Sequence, residues 1–332
     1  MAAWHNDRMT SAPYAHLSPD VVLDAVEALG LRCDGRLLPL NSYENRVFQV
    51  GLDEAAPVVV KFYRPGRWSD AAILEEHAFS AELAEREIPA VPPLCLGGAT
   101  LHRHADFRYA VFARRGGRLP ELDDPEVLEW LGRFLGRLHA VGATRPFSAR
   151  LRIDIETLGE ASLAYLLEHS LPPHLTATYA DVARRALDAV RQGFDGDWTT
   201  IRLHGDCHGG NLLWTDAGPH FVDFDDACSG PAIQDLWMLL SGERADMTYQ
   251  LDALLSGYRD FHRFDRAELR LIEPLRTLRL LHYSAWLARR WNDPAFPAAF
   301  PWFGSDAYWQ EQIAGLERQL HRLAEPPLAL YP

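Results

Sequence analysis

Cysteine is scarce in this chain. The 332 residues hold four, Cys33, Cys95, Cys207 and Cys228, and none forms a C-x-x-C pair. Their spacings suggest no disulfide framework, and reduced thiols in a cytoplasmic protein are expected. Long apolar runs are missing as well. No stretch approaches the roughly 20 residues of a membrane span, so no membrane partner is expected. The opening "MAAWHNDRMTSAPYAHL" has no apolar centre and is not expected to act as a secretory signal. Basic charge is in deficit, with 33 Lys and Arg against 46 Asp and Glu and a net charge of −13. There is no basic tract, so nucleic acid is not an expected partner. Glycine-rich phosphate loops are absent too: the chain has no G-x-G and no P-loop. Internal repeats and low-complexity tracts are not seen. What is present is an ordinary globular composition, 48% apolar and 24% charged, long enough for two lobes and a sizeable core.

The first third is rich in strand signals. "SPDVVLDAVEALGL" (18–31) reads as a short amphipathic helix, with Ser18 as cap and Pro19 in its first turn. "NRVFQVGL" (45–52) and "PVVVKFY" (57–63) read as strands joined through residues 53–56, and "FRYAVFA" (107–113) as another. Between them, residues 68–87 carry helical spacing at Ile73, Leu74, His77, Ala81 and Leu83, and "IPAVPPL" (88–94) ends that helix. The connector "RRGGRLPEL" (114–122) marks a change of character. Beyond it, residues 123–142 form a helix with Asp124 as cap. Helical patterns recur at 174–193, 231–241, 245–263, 267–291 and 305–324.

Chemistry concentrates in "LHGDCHGGNLLWTDAGPHFVDFDDA" (203–227). The part from Leu212 reads as a β-hairpin with its turn at Thr215–Pro219. Asn211 and Asp223, twelve residues apart, then face one point. Two oxygen side chains there suit Mg²⁺, a hard cation that keeps substrate phosphates in its shell. Asp206, five residues before Asn211, is placed to accept a proton from an incoming hydroxyl. Phosphoryl transfer needs these parts. The competing reading takes His204, Asp206 and His208 as zinc ligands of a hydrolase. Such a site needs further ligands, and His220 is out of phase with the Asp223 side of its strand. His204 reads better as a residue orienting a tight turn, while His208 is open between bracing the loop and meeting phosphates. Asp235, among apolar neighbours, reads as a buried brace for the backbone of His204 and Gly205. Asp225 and Asp226 read as an exposed acidic turn, or one of them as a second metal ligand. Cys207, beside the base, reads as a packed thiol or an oxidant sensor.

"HGDCHGGN" followed by "VDFDDA" resembles the H-G-D-x-H-x-x-N and D-x-x-D signature of the aminoglycoside phosphotransferase and choline kinase group. "PLNSYENRVFQ", "VVKFYRPGRW", "ILEEHAF", "GPAIQDLWMLL", "LIEPLR" and "RRWNDPAFP" extend the resemblance to the stress response kinase A family, from about Leu17 to Pro327. That resemblance implies a two-lobed, protein-kinase-like α+β fold, with an antiparallel-sheet lobe at 1–113 and a mainly helical lobe at 114–332. It implies ATP as co-substrate bound between the lobes, Mg²⁺ as cofactor, and a Ser/Thr protein as acceptor in a bacterial stress response.

Residue by residue, the resemblance makes Asp206 the catalytic base. Asn211 and Asp223 hold the metal, with Asp223 also counted as catalytic. Ser42 lies in the nucleotide-covering turn, and Lys61 is the ATP-phosphate lysine. Its partner is Glu76 or Glu75, the helical face favouring Glu76. Read from the residues alone, Lys61 is a lone charge in an apolar strand that needs a carboxylate, or else snorkels from a sheet edge. "NSYEN" has no glycines with which to cover phosphates. A small-molecule alcohol such as an aminoglycoside or choline is the alternative acceptor, and a non-catalytic nucleotide-binding module a third reading. The aromatic run from Trp286 to Trp309 reads as packed core, or as a substrate wall built from Trp291, Phe300 and Trp302.

Overall fold

The computed structural model describes residues 12–194 and 198–330. The first eleven residues of the opening stretch read above lie outside them. The chain forms two compact units. One takes the described part of Met1–Asp70 with Pro93–Arg114 and Arg290–Pro301, and the other takes Ala71–Pro92, Arg115–Arg289 and the described part of Trp302–Pro332. The chain leaves the first unit after Arg114, beside the boundary expected between 113 and 114. The other crossings follow residues 70, 92, 289 and 301.

In the first unit, helix α1 (Pro19–Glu27) starts where Ser18 Oγ accepts the Val21 N–H at 3.3 Å. Its buried face, Val22, Ala25 and Val26, packs on an antiparallel sheet of β1 (Cys33–Pro39), β2 (Arg46–Leu52), β3 (Ala55–Phe62), β4 (His102–His104) and β5 (Phe107–Ala113). The spatial order is β1-β2-β3-β5-β4. Side chains alternate across a strand, so Val58, Val60 and Phe62 share the α1 face while Lys61 points to the other. β3 is the central strand. Lys61 is 5% exposed, which removes the reading of a lysine snorkelling from an edge. The connection read at 53–56 narrows to Asp53 and Glu54, with Glu54 at φ 54°. β1 and β4 carry no alternation in sequence: β1 is interrupted by a bulge and by Gly35 at φ 84°, and β4 has three residues.

The second unit begins with α2 (Asp70–Glu85). Its buried face is Ile73, Glu76, His77, Ser80 and Leu83, whereas Leu74, counted with that face in the sequence, is exposed. There follow α3 (Pro125–Gly142), α4 (Ala161–His169) and α5 (Pro173–Phe194). Then come β6 (Ile201–Leu203), β7 (Leu212–Thr215), β8 (Gly218–Phe221) and β9 (Cys228–Gly230). α6 (Ile233–Trp237), α7 (Arg244–Tyr258) and α8 (Ile272–Arg289) complete the core, α9 (Ala295–Ala299) belongs to the first unit, and α10 (Asp306–Leu323) closes the chain. The helix expected over 231–241 stops at Trp237, because the chain turns to i→i−3 bonding at Leu239 and Leu240 and reaches Gly242 at φ 83°. The one expected over 267–291 opens as a 3₁₀ segment, Arg266–Leu271, capped by Asp265. Pro274, which has no N–H to donate, follows that segment in the first turn of α8. α3 lies tight on α7 because Gly132 has no Cβ: one built there would sit 1.9 Å from the Leu254 carbonyl oxygen. Among the described residues no helix is long and apolar enough to cross a membrane.

Candidate active site

The catalytic loop hangs between two short strand pairs of the second unit. β6 pairs with β9, and β7 with β8, Leu212 facing Phe221 and Thr215 facing Gly218. The hairpin expected from Leu212 is therefore formed, with Asp216 and Ala217 at its turn. Its open end brings Val222 back to Asn211, whose carbonyl accepts the Val222 N–H at 3.1 Å. Asp206, Asn211 and the residue before Asp223 are thus tied into one small region. Asp223 itself is exposed and left-handed, φ 60° and ψ 63°, a backbone state uncommon for a residue with a side chain.

Asp206 is held from three sides. Arg279, on α8, donates Nη1 to Oδ1 at 2.8 Å. His208 Nε2 lies 3.4 Å from Oδ2, and Asn211 Nδ2 lies at 2.9 Å from the Asp206 carbonyl and 3.4 Å from Oδ2. The Gly210 N–H donates to His208 Nδ1 at 3.0 Å, so Nδ1 is the acceptor and Nε2 carries the proton toward the carboxylate. Burial pushes the Asp206 carboxyl up, but the His208 hydrogen bond and the charge of Arg279 outweigh it. The carboxyl is held well below the usual range and stays ionised.

Behind the loop sits a buried polar brace. Asp235 accepts the His204 N–H on Oδ2 and the Gly205 N–H on Oδ1, both at 2.8 Å, as its position in an apolar helix predicts. Oδ2 also meets His139 Nε2 at 3.1 Å, and His139 Nδ1 meets the Tyr258 hydroxyl at 2.9 Å. Gly205 is required there: its φ is 85°, and a Cβ would lie 2.1 Å from the Asp226 carbonyl oxygen. His204 is wholly buried and donates Nε2 to the Val222 carbonyl at 2.9 Å. That bond engages the ring in bracing the loop, the role read from the sequence rather than zinc ligation. Among the described residues no three His, Cys, Asp or Glu side chains converge as a metal-binding group.

One expectation changes. Asp225 is 3% exposed, so the exposed acidic turn is Asp226 alone. The Arg150 guanidinium donates to the Asp225 backbone carbonyl and, through Nε at 2.7 Å, to that of Ala227. The Cys207 thiol is fully buried. Burial, with the charges of Asp235 and Asp206, pushes it far up, which fits the packed thiol of the two readings.

Glu75 and Glu76 have different surroundings. The Glu75 carboxylate accepts the N–H groups of Ser148, Ala149 and Arg150 at 2.7, 2.8 and 3.1 Å. Glu76 lies on the buried face of α2. In the other unit, Lys61 Nζ stands 5.0 Å from the centre of the Tyr63 ring. Ser42 donates Oγ to the Asn45 carbonyl at 3.1 Å, and the Asn45 side chain accepts the Arg64 N–H at 3.1 Å. Glu44 pairs with Arg64 at 2.9 Å and with Arg290, and Asp293 takes Arg46 at 2.9 Å and Arg64 at 2.6 Å. This turn is therefore fixed by ion pairs and needs no glycines.

The aromatic run divides between the units. Phe296 and Trp309 are fully buried, as packed core requires, while Trp302 is exposed and lies against Tyr308 at 5.3 Å. Arg279, Arg150 and His139 were not singled out in the sequence. Each is an ordinary charged or polar position in a helical or loop pattern, and only the fold brings it to the loop.

The donors fit a divalent cation. Asn211 spends its amide nitrogen on Asp206, which leaves its oxygen free to turn away, and Asp223 adds a carboxylate. Both offer hard oxygen donors. A loop that ties Asp206 to Asn211 over a buried aspartate brace in a helical unit, with a five-stranded antiparallel sheet in the other unit, suits a kinase-like phosphotransferase. Residues 36–272 match the model of the phosphotransferase enzyme family. Stress response kinase A of Salmonella choleraesuis and the serine/threonine protein kinase RdoA of Salmonella typhimurium are each 47% identical to the chain, over 95% of it and 96% of their own length. The structure of an amicoumacin kinase with AMP-PNP, Ca²⁺ and its ligand shares the fold, with TM-score 0.72 at 19% identity, covering 94% of this chain and 95% of that one. The chain belongs to the stress response kinase A family, within the phosphotransferase enzyme family.

Proposed function

We propose that this protein transfers the γ-phosphoryl group of ATP to a serine or threonine hydroxyl of a protein, with Mg²⁺, in the cytoplasm. The observation that carries the reading is the tie of Asn211 to Asp206, next to Asp223. It supports reading Asp206 as a base with Asn211, and Asp223 next to Val222, as oxygen ligands of one loop. The similarity to RdoA supports a protein acceptor, and four free cysteines fit a reducing compartment.

Asp206 orients the acceptor hydroxyl and takes its proton late in the transfer, when the oxygen has become acidic. A strongly ionised carboxylate suits this role better than early proton abstraction. Arg279 and His208 hold it in place, and the Asp235 brace keeps the loop backbone rigid. Asn211 and Asp223 would hold Mg²⁺, which when bound would neutralise charge on the phosphate oxygens. Lys61 and Glu76 serve nucleotide binding, Lys61 toward the phosphates, and Ser42 belongs to the turn that covers them.

A small-molecule alcohol acceptor is the second reading, favoured by the shared fold of the amicoumacin kinase. Labelled ATP with the purified protein and Mg²⁺ decides. Autophosphorylation or casein labelling is expected. Transfer to amino sugars or choline instead would establish the second reading, and nucleotide binding without any transfer would make the protein a binding module.

A further inference from the structure

We propose that Arg279 selects the acceptor: it sets the site for a hydroxyl flanked by negative charge and against one flanked by an ammonium group. This rests on the reading of Asp206 as the base. Arg279 donates a single nitrogen to Asp206 Oδ1, at 2.8 Å, and its side chain is 44% exposed. Asp206 Oδ2 is already approached by His208 and Asn211. An arriving hydroxyl therefore bonds a carboxylate whose other neighbour, on the Oδ1 side, is a guanidinium with four further N–H donors.

The sign of that charge has consequences. An amino alcohol or amino sugar carries its ammonium a few bonds from the reacting hydroxyl, which places like charge against Arg279. A carboxylate or phosphate beside the hydroxyl meets a fork of donors suited to it. Asp223, the exposed carboxylate nearby, is occupied by the cation in the proposed site and offers an ammonium no compensation. Arg276, one turn earlier on α8, has its charge matched by Glu273 at 2.8 Å. Arg279 is thus the guanidinium that the acceptor meets.

The helix face continues the argument. Residues four and seven beyond Arg279 lie on its side of α8, and these are Tyr283 and Trp286, stacked with ring centres 5.7 Å apart. Tyr283 is exposed. A cation followed by an aromatic plate along one helix face fits an extended acidic segment of polypeptide, whose backbone lies on the rings while an acidic side chain meets Arg279.

The test uses the full chain with Mg-ATP and serine peptides of one sequence flanked by Glu, Ala or Lys. Wild type is expected to show kcat/KM about tenfold higher for the Glu peptide than for the Lys peptide, the effect of one charge pair at partial exposure. Arg279→Lys is expected to keep the order and Arg279→Glu to reverse it, with a wild-type circular dichroism spectrum and a cooperative unfolding transition in both as evidence that the chain is folded. Glu and Lys peptides within twofold of each other, in wild type and in Arg279→Glu alike, would overturn the inference and leave the base reading intact. A near-normal rate in Asp206→Asn, or no transfer to any hydroxyl by wild type, would instead overturn the base reading and this inference with it.

Discussion

Asn211 donates its side-chain amide to the backbone carbonyl of Asp206 at 2.9 Å, so the proposed metal ligand and the proposed base are two ends of one closed loop. Substitutions there should separate by kind. Asp206→Asn keeps the loop and loses the base, so turnover should fall by about 10²–10⁴ while ATP still binds. Asn211→Ala opens the loop and removes a ligand, so turnover and Mg-dependent nucleotide affinity should fall together. Asp223→Ala should abolish the Mg-dependent part of nucleotide binding. Calorimetric titration with and without Mg²⁺, beside single-turnover rates, reads all three. Unchanged Mg-dependent affinity in Asp223→Ala would count against the assignment.

Asp235 satisfies two buried N–H groups and faces His139. Asp235→Ala leaves all of them without an acceptor. A loss of about 3 kcal/mol or more is expected, the scale for stranding buried donors. Asp235→Asn keeps one oxygen but turns an NH₂ toward a donor, and should lose most of that amount. Urea unfolding measures it. A shift of less than about 1 kcal/mol in the alanine variant would mean that water replaces the carboxylate.

Much of this was legible before any coordinates. The hairpin from Leu212 announced itself through its turn, and Asp235 through its isolation in an apolar helix, because both are local signals. β5 was read to its end residues because alternation is also local. What stayed hidden depends on distant chain segments. Arg279 lies 73 residues from Asp206 in sequence, on a helix with several other arginines, and periodicity cannot say which one meets a carboxylate. The pairing of Arg290 and Asp293 with the turn at Glu44 and with Arg46 is likewise invisible, since it joins the two ends of the chain. Asp225 is read as exposed because acidic runs are usually solvated, whereas here it is buried in a segment whose backbone carbonyls bond Arg150.

Glu268 should make stability depend on pH. Its carboxylate accepts the Ile233 N–H at 2.9 Å, at the start of α6. Burial, the largest cause, and the charge of Asp265 raise it from 4.5 to about 7, against the pull of the Ile233 and Ala232 N–H groups. Between those two values the folded chain holds a proton that the unfolded chain has released. The stabilisation is therefore complete below about pH 4.5 and is lost as pH rises through about 7. Glu268→Gln, neutral throughout, should flatten that slope and be more stable above pH 7 by on the order of 2 kcal/mol. Unfolding midpoints from pH 5 to 8 test this, and parallel curves for the two proteins would refute it.

Glu75 and Glu76 are adjacent, yet they should fail differently. Glu75 receives three backbone N–H groups of residues 148–150, and Arg150 in turn holds the carbonyls of Asp225 and Ala227. Charge-assisted bonds of this kind are worth more than neutral ones. Glu75→Gln should cost roughly 1–3 kcal/mol of stability, and Mg-ATP affinity of the folded protein should stay within about threefold, a change under 1 kcal/mol. Glu76 lies on the buried face of α2 and is assigned to nucleotide binding. Glu76→Gln keeps the shape and removes the charge, so affinity for Mg-ATP should fall by about tenfold or more, about 1.4 kcal/mol, with a smaller change in unfolding midpoint. The reverse pattern, with affinity lost in Glu75→Gln and kept in Glu76→Gln, would move the nucleotide role to Glu75 and leave its three backbone bonds as a secondary feature.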